Sequence, residues 1–204
     1  MFAAASAAYR MNGNRYVKYN DLYDNKQGRT NKSLLLQCIA DPEIILPADY
    51  TSSKIVQRFC EGLTLKMLKQ GSLSSFDSQL LDLVSADAIA VNDSGVLAYA
   101  PHAATLELQR ETTQDLLGQC EQGYYGRPGG RIETTVEVVS CHYSRQWNTY
   151  YLQAITSCNH RVFFPYKSQL SVNKKYSITA KVKDHAQDFT TKLHYVKLDK
   201  NSPS

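Results

Sequence analysis

"WNTYYLQAITSCNHRVFFPYK", Trp147–Lys167, holds two short runs in which side chains alternate. In the first run Tyr150, Leu152 and Ala154 share one face, and Tyr151, Gln153 and Ile155 share the other. After the polar turn SCNH the same period continues, with Val162 and Phe164 on one side and Phe163 opposite. A period of two marks strands with one buried face, so this stretch predicts a hairpin. If Leu152 and Ala154 face inward, the inner face also carries Tyr150, Val162 and Phe164; the register that decides this is a matter for the tertiary structure. Tyr151 and Phe163 are left on the outer face, and Trp147 stands in the preceding loop.

Working outward, "IETTVEVVSCHY" reads as a strand before this hairpin, while "KYSITAKVK" and "TTKLHYVKL" read as two strands after it. In "KYSITAKVK" the alternation is clean, with Tyr176, Ile178, Ala180 and Val182 against Lys175, Ser177, Thr179, Lys181 and Lys183. The connector "YKSQLSVNK" has room for a short helical turn, and "DHAQDF" is a polar loop. Five strands with a longer connection between the third and fourth are the order of a five-stranded Greek-key barrel.

Upstream, the period changes to that of helices. "SSKIVQRFCEGLTLKMLKQG" places Ile55, Phe59, Leu63 and Met67 at helical spacing, with Val56 and Cys60 widening the stripe. Thr51, Ser52 or Ser53 is expected to cap its start and Gly71 its end. "SSFDSQLLDLVSADAI" follows, with Phe76, Leu80, Leu83 and Val84 on one side and Ser74 or Ser75 as cap. "TNKSLLLQCIADP" is a shorter helix with Leu34, Leu35 and Cys38 inward, ending before Pro42. "PHAATLELQRETTQDLLGQ" begins with proline at a first-turn position and carries Leu106, Gln109, Thr113 and Leu117. The fold class expected is therefore α+β: an N-terminal helical bundle over 1–122, a glycine-rich linker over 123–131 and a C-terminal five-stranded OB-like β-barrel over 132–200. "GYYGRPGGR" marks the linker, and it lacks the G-x-x-x-x-G-K-[ST] pattern of a phosphate-binding loop.

The net charge of +4 is unevenly spread. From residue 131 onward there are 11 Lys and Arg against 5 Asp and Glu, whereas residues 1–130 hold 12 against 14. The basic barrel half therefore suits an acidic partner, nucleic acid foremost. No apolar run approaches the roughly 18 residues of a membrane helix, and "MFAAASAAYR" does not read as a secretory signal. Five scattered cysteines, an odd number without a C-x-x-C pair, point to reduced thiols. Together these predict a cytoplasmic protein.

The run "KKYSITAKVKDHAQDFTTKLHYVKL", preceded by "VFFPYKSQLSVN", resembles the closing strands of OB-fold domains. It is similar to the C-terminal part of virus- or phage-encoded proteins that join a helical region to an OB-like barrel. The resemblance implies single-stranded nucleic-acid binding, DNA before RNA, in replication or recombination. It also implies a binding face on strands two and three and on the loops between strands one and two and between strands four and five. Arg145, Trp147, Tyr151, Arg161, Phe163 and His185 lie there and could stack bases or contact phosphates; Lys167, Lys181 and Lys183, the latter two on one face of strand four that Lys192 could extend, are further candidates for the backbone.

The competing reading is a structural or adaptor protein that uses the same face for another protein and the helices for oligomerisation. Replication proteins and a second copy of the chain are the partners either reading would add. No cofactor is expected. Cys141, His142, Cys158 and His160 lack the spacing of a zinc site, because neighbours in a strand point to opposite faces. Without a nucleophile motif or a catalytic carboxylate pair, the sequence predicts no enzyme.

Overall fold

The computed structural model describes residues 1–22, 28–86 and 90–199. Residues 87–89 of the second helical stretch and residue 200 of the barrel span lie outside them. Among the described residues, five α-helices precede five strands: α1 (Phe2–Met11), α2 (Asn31–Ala40), α3 (Pro47–Gln70), α4 (Ser75–Ser85), α5 (Ser94–Gly118), β1 (Arg131–Ser144), β2 (Thr149–Thr156), β3 (Arg161–Tyr166), β4 (Lys175–His185) and β5 (Thr191–Leu198). The chain divides into two compact units, 1–109 and 110–204, with the boundary inside α5.

In the first unit, α1 is a helix the hydrophobic pattern does not reveal, because a run of alanines has no amphipathic contrast. Ala4, Ala5, Ala7 and Ala8 are buried, and their small side chains let α2 and α3 pack closely against it. In α2 the expected inward residues Leu34, Leu35 and Cys38 are buried, and the Thr30 hydroxyl accepts the Ser33 N–H at 3.1 Å. Helix α4 has its expected cap, Ser74 Oγ accepting the Asp77 N–H at 3.1 Å. There Leu80 and Leu83 are buried and Val84 is exposed.

Helix α3 departs from expectation at its start. It begins at Pro47 rather than after Thr51, Ser52 or Ser53, because proline fits a first helical position that needs no N–H donor. Asp49 then takes the capping role: Oδ2 accepts the Leu46 N–H at 2.9 Å. The same carboxylate receives Arg10 Nε at 2.9 Å on Oδ1 and Arg10 Nη2 at 3.1 Å on Oδ2. It is thus buried but fully hydrogen-bonded, the condition under which a charge is tolerated inside. Gly71 ends the helix at φ 71°, as expected. The buried stripe runs through Val56, Cys60 and Leu63, while Ile55 and Met67 are exposed. Burial pushes the Cys60 thiol up to about 11, so it is protonated at neutral pH.

Helix α5 corrects a second expectation. It starts at Ser94, so Pro101 lies inside it, and the buried residues include Leu97, Ala98, Ala100 and Ala104. None of Leu106, Gln109, Thr113 and Leu117 is buried. An interior proline costs a helix about 3 kcal/mol or more. Packing on both sides of the turn offsets it: Leu97 and Ala98 join the α1–α2 core, and Ala100 and Ala104 join the α3–α4 core.

In the second unit the five strands close into a barrel in the order β1-β2-β3-β5-β4. Only the β3–β5 pair is parallel. The lumen is filled by Val136, Val138, Leu152, Ala154, Val162, Phe164, Ile178, Ala180, Val182 and Leu193. The connector between β3 and β4, which has room for a short helical turn, forms bends and a turn instead, and it contributes Leu170 to this core. Asn148 and Asn159 turn the two hairpins at φ 45° and 60°.

The glycine-rich stretch lies on the barrel. Gly129 N–H donates to Val182 O, and Val182 N–H donates to Gly130 O, each at 2.9 Å. At Gly126 a Cβ would meet Ile132 Cγ2 at 3.0 Å and Val182 Cγ2 at 3.1 Å, so only glycine lets the backbone approach this closely.

Replacing Asp49 by alanine removes the α3 cap and strands the Arg10 guanidinium. The loss expected in thermal or denaturant unfolding is about 2–4 kcal/mol. An unchanged midpoint would show that Asp49 does not anchor this corner.

Candidate nucleic-acid interface

On the outside of β2 and β3 the alternation that buries Leu152 and Phe164 leaves Tyr151, Gln153 and Phe163 facing outward. Tyr151 pairs with Pro165 across the hairpin and Gln153 with Phe163. Tyr151 and Phe163 are therefore diagonal neighbours, and their rings stack with centroids 5.7 Å apart and planes 7° from parallel. Both are half-buried, which leaves ring surface open to solvent.

The track extends at both ends. Towards the β1–β2 loop, His142 pairs with Tyr151, and the loop itself carries exposed Arg145 and Trp147, the tryptophan 66% exposed. Tyr143 OH donates to Asn148 Oδ1 at 2.7 Å and Tyr143 packs on Tyr150, so the base of that hairpin is ordered while Trp147 projects. Because Tyr150 pairs with Tyr166, the register continued by one step sets exposed Lys167 opposite Thr149, at the foot of the same hairpin.

Towards the other end, Phe163 pairs with Lys192 of β5. Lys192 in turn faces Asp184 of β4, where Val182 pairs with Leu193 and Asp184 with Lys192, leaving Lys183 as the extra residue of a bulge. His185 follows as the last residue of β4, paired with Thr191.

Two residues at this end escape the sequence reasoning. Tyr124, from the glycine-rich stretch, stacks on His185 with centroids 4.1 Å apart and planes parallel, and Phe189 packs against it at 5.7 Å. Tyr124 OH donates to Ala186 O at 3.0 Å. Phe189 holds its place with a left-handed backbone, φ 63°. The only sequence signal was a pair of tyrosines inside a segment otherwise suited to a linker.

Not every candidate joins the track. Arg161 is half-buried, and its Nη1 donates to Asp188 O at 3.0 Å, so it ties the β4–β5 loop down. Lys181 pairs with Arg131 of β1 and His194 of β5, away from β2 and β3. A groove of about 640 Å³ beside the end of α5 is lined by Leu116, Val139, Ile155, Glu137 and Lys175 among others. Lys175 Nζ lies 3.9 Å from Glu137 Oε2, and no aromatic ring lines the groove. Among the described residues no three His, Cys, Asp or Glu side chains converge as a metal site requires, and no helix is long and apolar enough to cross a membrane.

No family model, curated protein or solved structure matches this chain. The arrangement offers parallel rings with cations beside them, and Asp184 pairs with Lys192 at one end.

Removing the Tyr124 ring by Tyr124→Ala should loosen the β4–β5 loop. Exchange of the Ala186 and Phe189 amides, bonded to Thr190 O and Ala186 O, is expected to quicken about 5- to 10-fold, the value of one aromatic contact. Unchanged exchange would mean that the Asp188–Thr190 hydrogen bonds and the Arg161 contact order the loop without the Tyr124 ring.

Proposed function

We propose that the barrel half is a non-catalytic nucleic-acid-binding module, and that its ligand is single-stranded nucleic acid, DNA before RNA. The observation that carries this reading is the stacked Tyr151–Phe163 pair on the outer face of β2 and β3, with Lys192 paired to Phe163. Bases have two flat apolar faces and a phosphate every step. A ring surface therefore captures the base and a neighbouring ammonium the phosphate, each stacked base adding about 1–3 kcal/mol irrespective of sequence. In a duplex those faces are already stacked, so the surface selects single strands. Trp147, Arg145 and Lys167 lengthen the track at one end, Lys183 and His185 at the other. A cytoplasmic role in replication or recombination, where such strands are exposed, is the setting this reading suggests.

One observation favours the adaptor reading for the first unit: α3 exposes Leu65, Met67 and Leu68 along its C-terminal half. Exposed apolar side chains of this kind, Leu65 and Leu68 being one turn apart, suit self-association or a replication protein, and they are compatible with strand binding by the barrel.

The deciding measurement is a titration of oligothymidylate and of a duplex of equal length at two salt concentrations, followed by the fluorescence of Trp147, the lone tryptophan. Quenching by the single strand, with affinity falling steeply as salt rises, is expected. Tyr151→Ala and Phe163→Ala should each weaken binding by about 1–3 kcal/mol. Absence of single-strand binding at low salt overturns the reading.

A further inference from the structure

Among the described residues, six other than glycine have positive φ, and four of them are asparagines: Asn14, Asn148, Asn159 and Asn173. Asparagine tolerates that conformation, but the remaining two are the aromatics Phe189 and Tyr195, for which it is a true outlier. Phe189 is compensated by its packing on Tyr124. Tyr195, with φ 53°, has no such burial: it is 77% exposed.

The cause lies in the register of β4 and β5. Thr179 pairs with Lys197 and Lys181 with His194, so β5 carries one residue more than β4 between these pairs. The extra residue bulges the strand at Tyr195 and Val196. Val196 packs against the barrel core, while His194 and Tyr195 both stay outside, their rings 4.4 Å apart. His194 Nε2 is buried there without a hydrogen-bond partner. A left-handed backbone and an orphaned imidazole nitrogen thus coincide at one exposed ring, and strain that packing does not offset is characteristic of binding surfaces.

The neighbours of that ring are cationic. Lys181, paired with His194, has Arg131 on its other side in β1, and Lys197 lies two residues beyond Tyr195. All three are exposed; the carboxylates beside them are Glu133, 3.8 Å from Arg131, and exposed Asp199, two residues beyond Lys197. β4 borders β5 and β1, so this patch lies on strands other than the β2–β3 pair that carries Tyr151 and Phe163.

We infer that Tyr195, with Arg131, Lys181 and Lys197, forms a second stacking surface for single-stranded nucleic acid, so that one barrel holds two strand segments at once. The ligand class rests on the function proposed for the Tyr151–Phe163 track, while the site itself rests on the bulge and its charges. A barrel occupied on both sides can bring two strands together, which a single-surface binder does not do.

The test counts bound strands. Oligothymidylates of about 6 nucleotides, near the lower end of what one barrel occupies, are titrated into the full chain at low salt and counted by native mass spectrometry. Two per chain are expected for the wild type. Tyr195→Gly should bind one and still quench Trp147. Because glycine relieves the left-handed backbone, this variant should also melt no lower than the wild type. The triple variant Trp147→Ala, Tyr151→Ala, Phe163→Ala should likewise bind one, lost only when Tyr195→Gly is added.

A wild type that takes one oligonucleotide, insensitive to Tyr195→Gly, overturns this inference and leaves the Tyr151–Phe163 reading standing. One oligonucleotide lost in Tyr195→Gly and retained in the triple variant overturns the first reading, and with it the two-strand barrel. Two oligonucleotides that survive Tyr195→Gly, or a lowered melting point in that variant, assign Tyr195 a structural role and overturn the inference.

Discussion

Five strands close on themselves only if the side chains inside fill a narrow lumen without forcing it open, and that constraint governs the C-terminal half of this protein. Phe164 and Leu152 supply the bulk, and valines, isoleucine and alanines from the other strands fit around them. Each fully buried large side chain contributes about 1.5–3 kcal/mol. Once Leu152, Ala154, Val162 and Phe164 face inward, the pleat leaves no choice for their neighbours. Tyr151 and Phe163 must face out, and the hairpin register sets them diagonal to each other. The candidate surface is thus a by-product of the same alternation that makes the core, and a one-residue slip would exchange the two.

Interruptions of the alternation place the remaining features. The bulge in β4 leaves Lys183 unpaired between Val182 and Asp184, and the bulge in β5 turns Tyr195 outward. A bulge costs ladder hydrogen bonds and local strain, but in β5 it turns out Tyr195, which alternation from the buried Leu193 would have pointed inward. Tyr124 comes from outside the sheet, carried by a glycine-rich segment that can lie against β4 because Gly126 has no Cβ to collide with Ile132 and Val182.

In the helical half, a buried carboxylate has the comparable role. Asp49 satisfies the start of α3 and holds Arg10 of α1, so one side chain joins a helix cap to a helix–helix contact. The alanines of α1 permit the close approach that this geometry requires.

Much of the barrel was legible in the sequence because a period of two belongs to the strand itself: the five strands, and the separation of Leu152 and Phe164 from Tyr151 and Phe163, follow from local alternation, whereas which of the two faces lines the lumen was decided by packing. Helix existence was legible for α2, α3 and α4 for the same reason, at a period near 3.6. The sequence could not rank Val56 against Ile55 as the buried neighbour of Phe59, since adjacent stripes differ only in what packs on them. Nor could it find α1, whose alanines carry no contrast, or place Pro101 inside a helix, since the compensating contacts come from other helices. The partition of the cationic residues was likewise invisible. Lys192 stands beside Phe163 and Lys181 beside Arg131 only because the barrel closes in the order β1-β2-β3-β5-β4. Strand alternation is a local property that residues impose on their own backbone, whereas which strand lies next to which, and hence which charges share a surface, is decided by closure of the whole sheet.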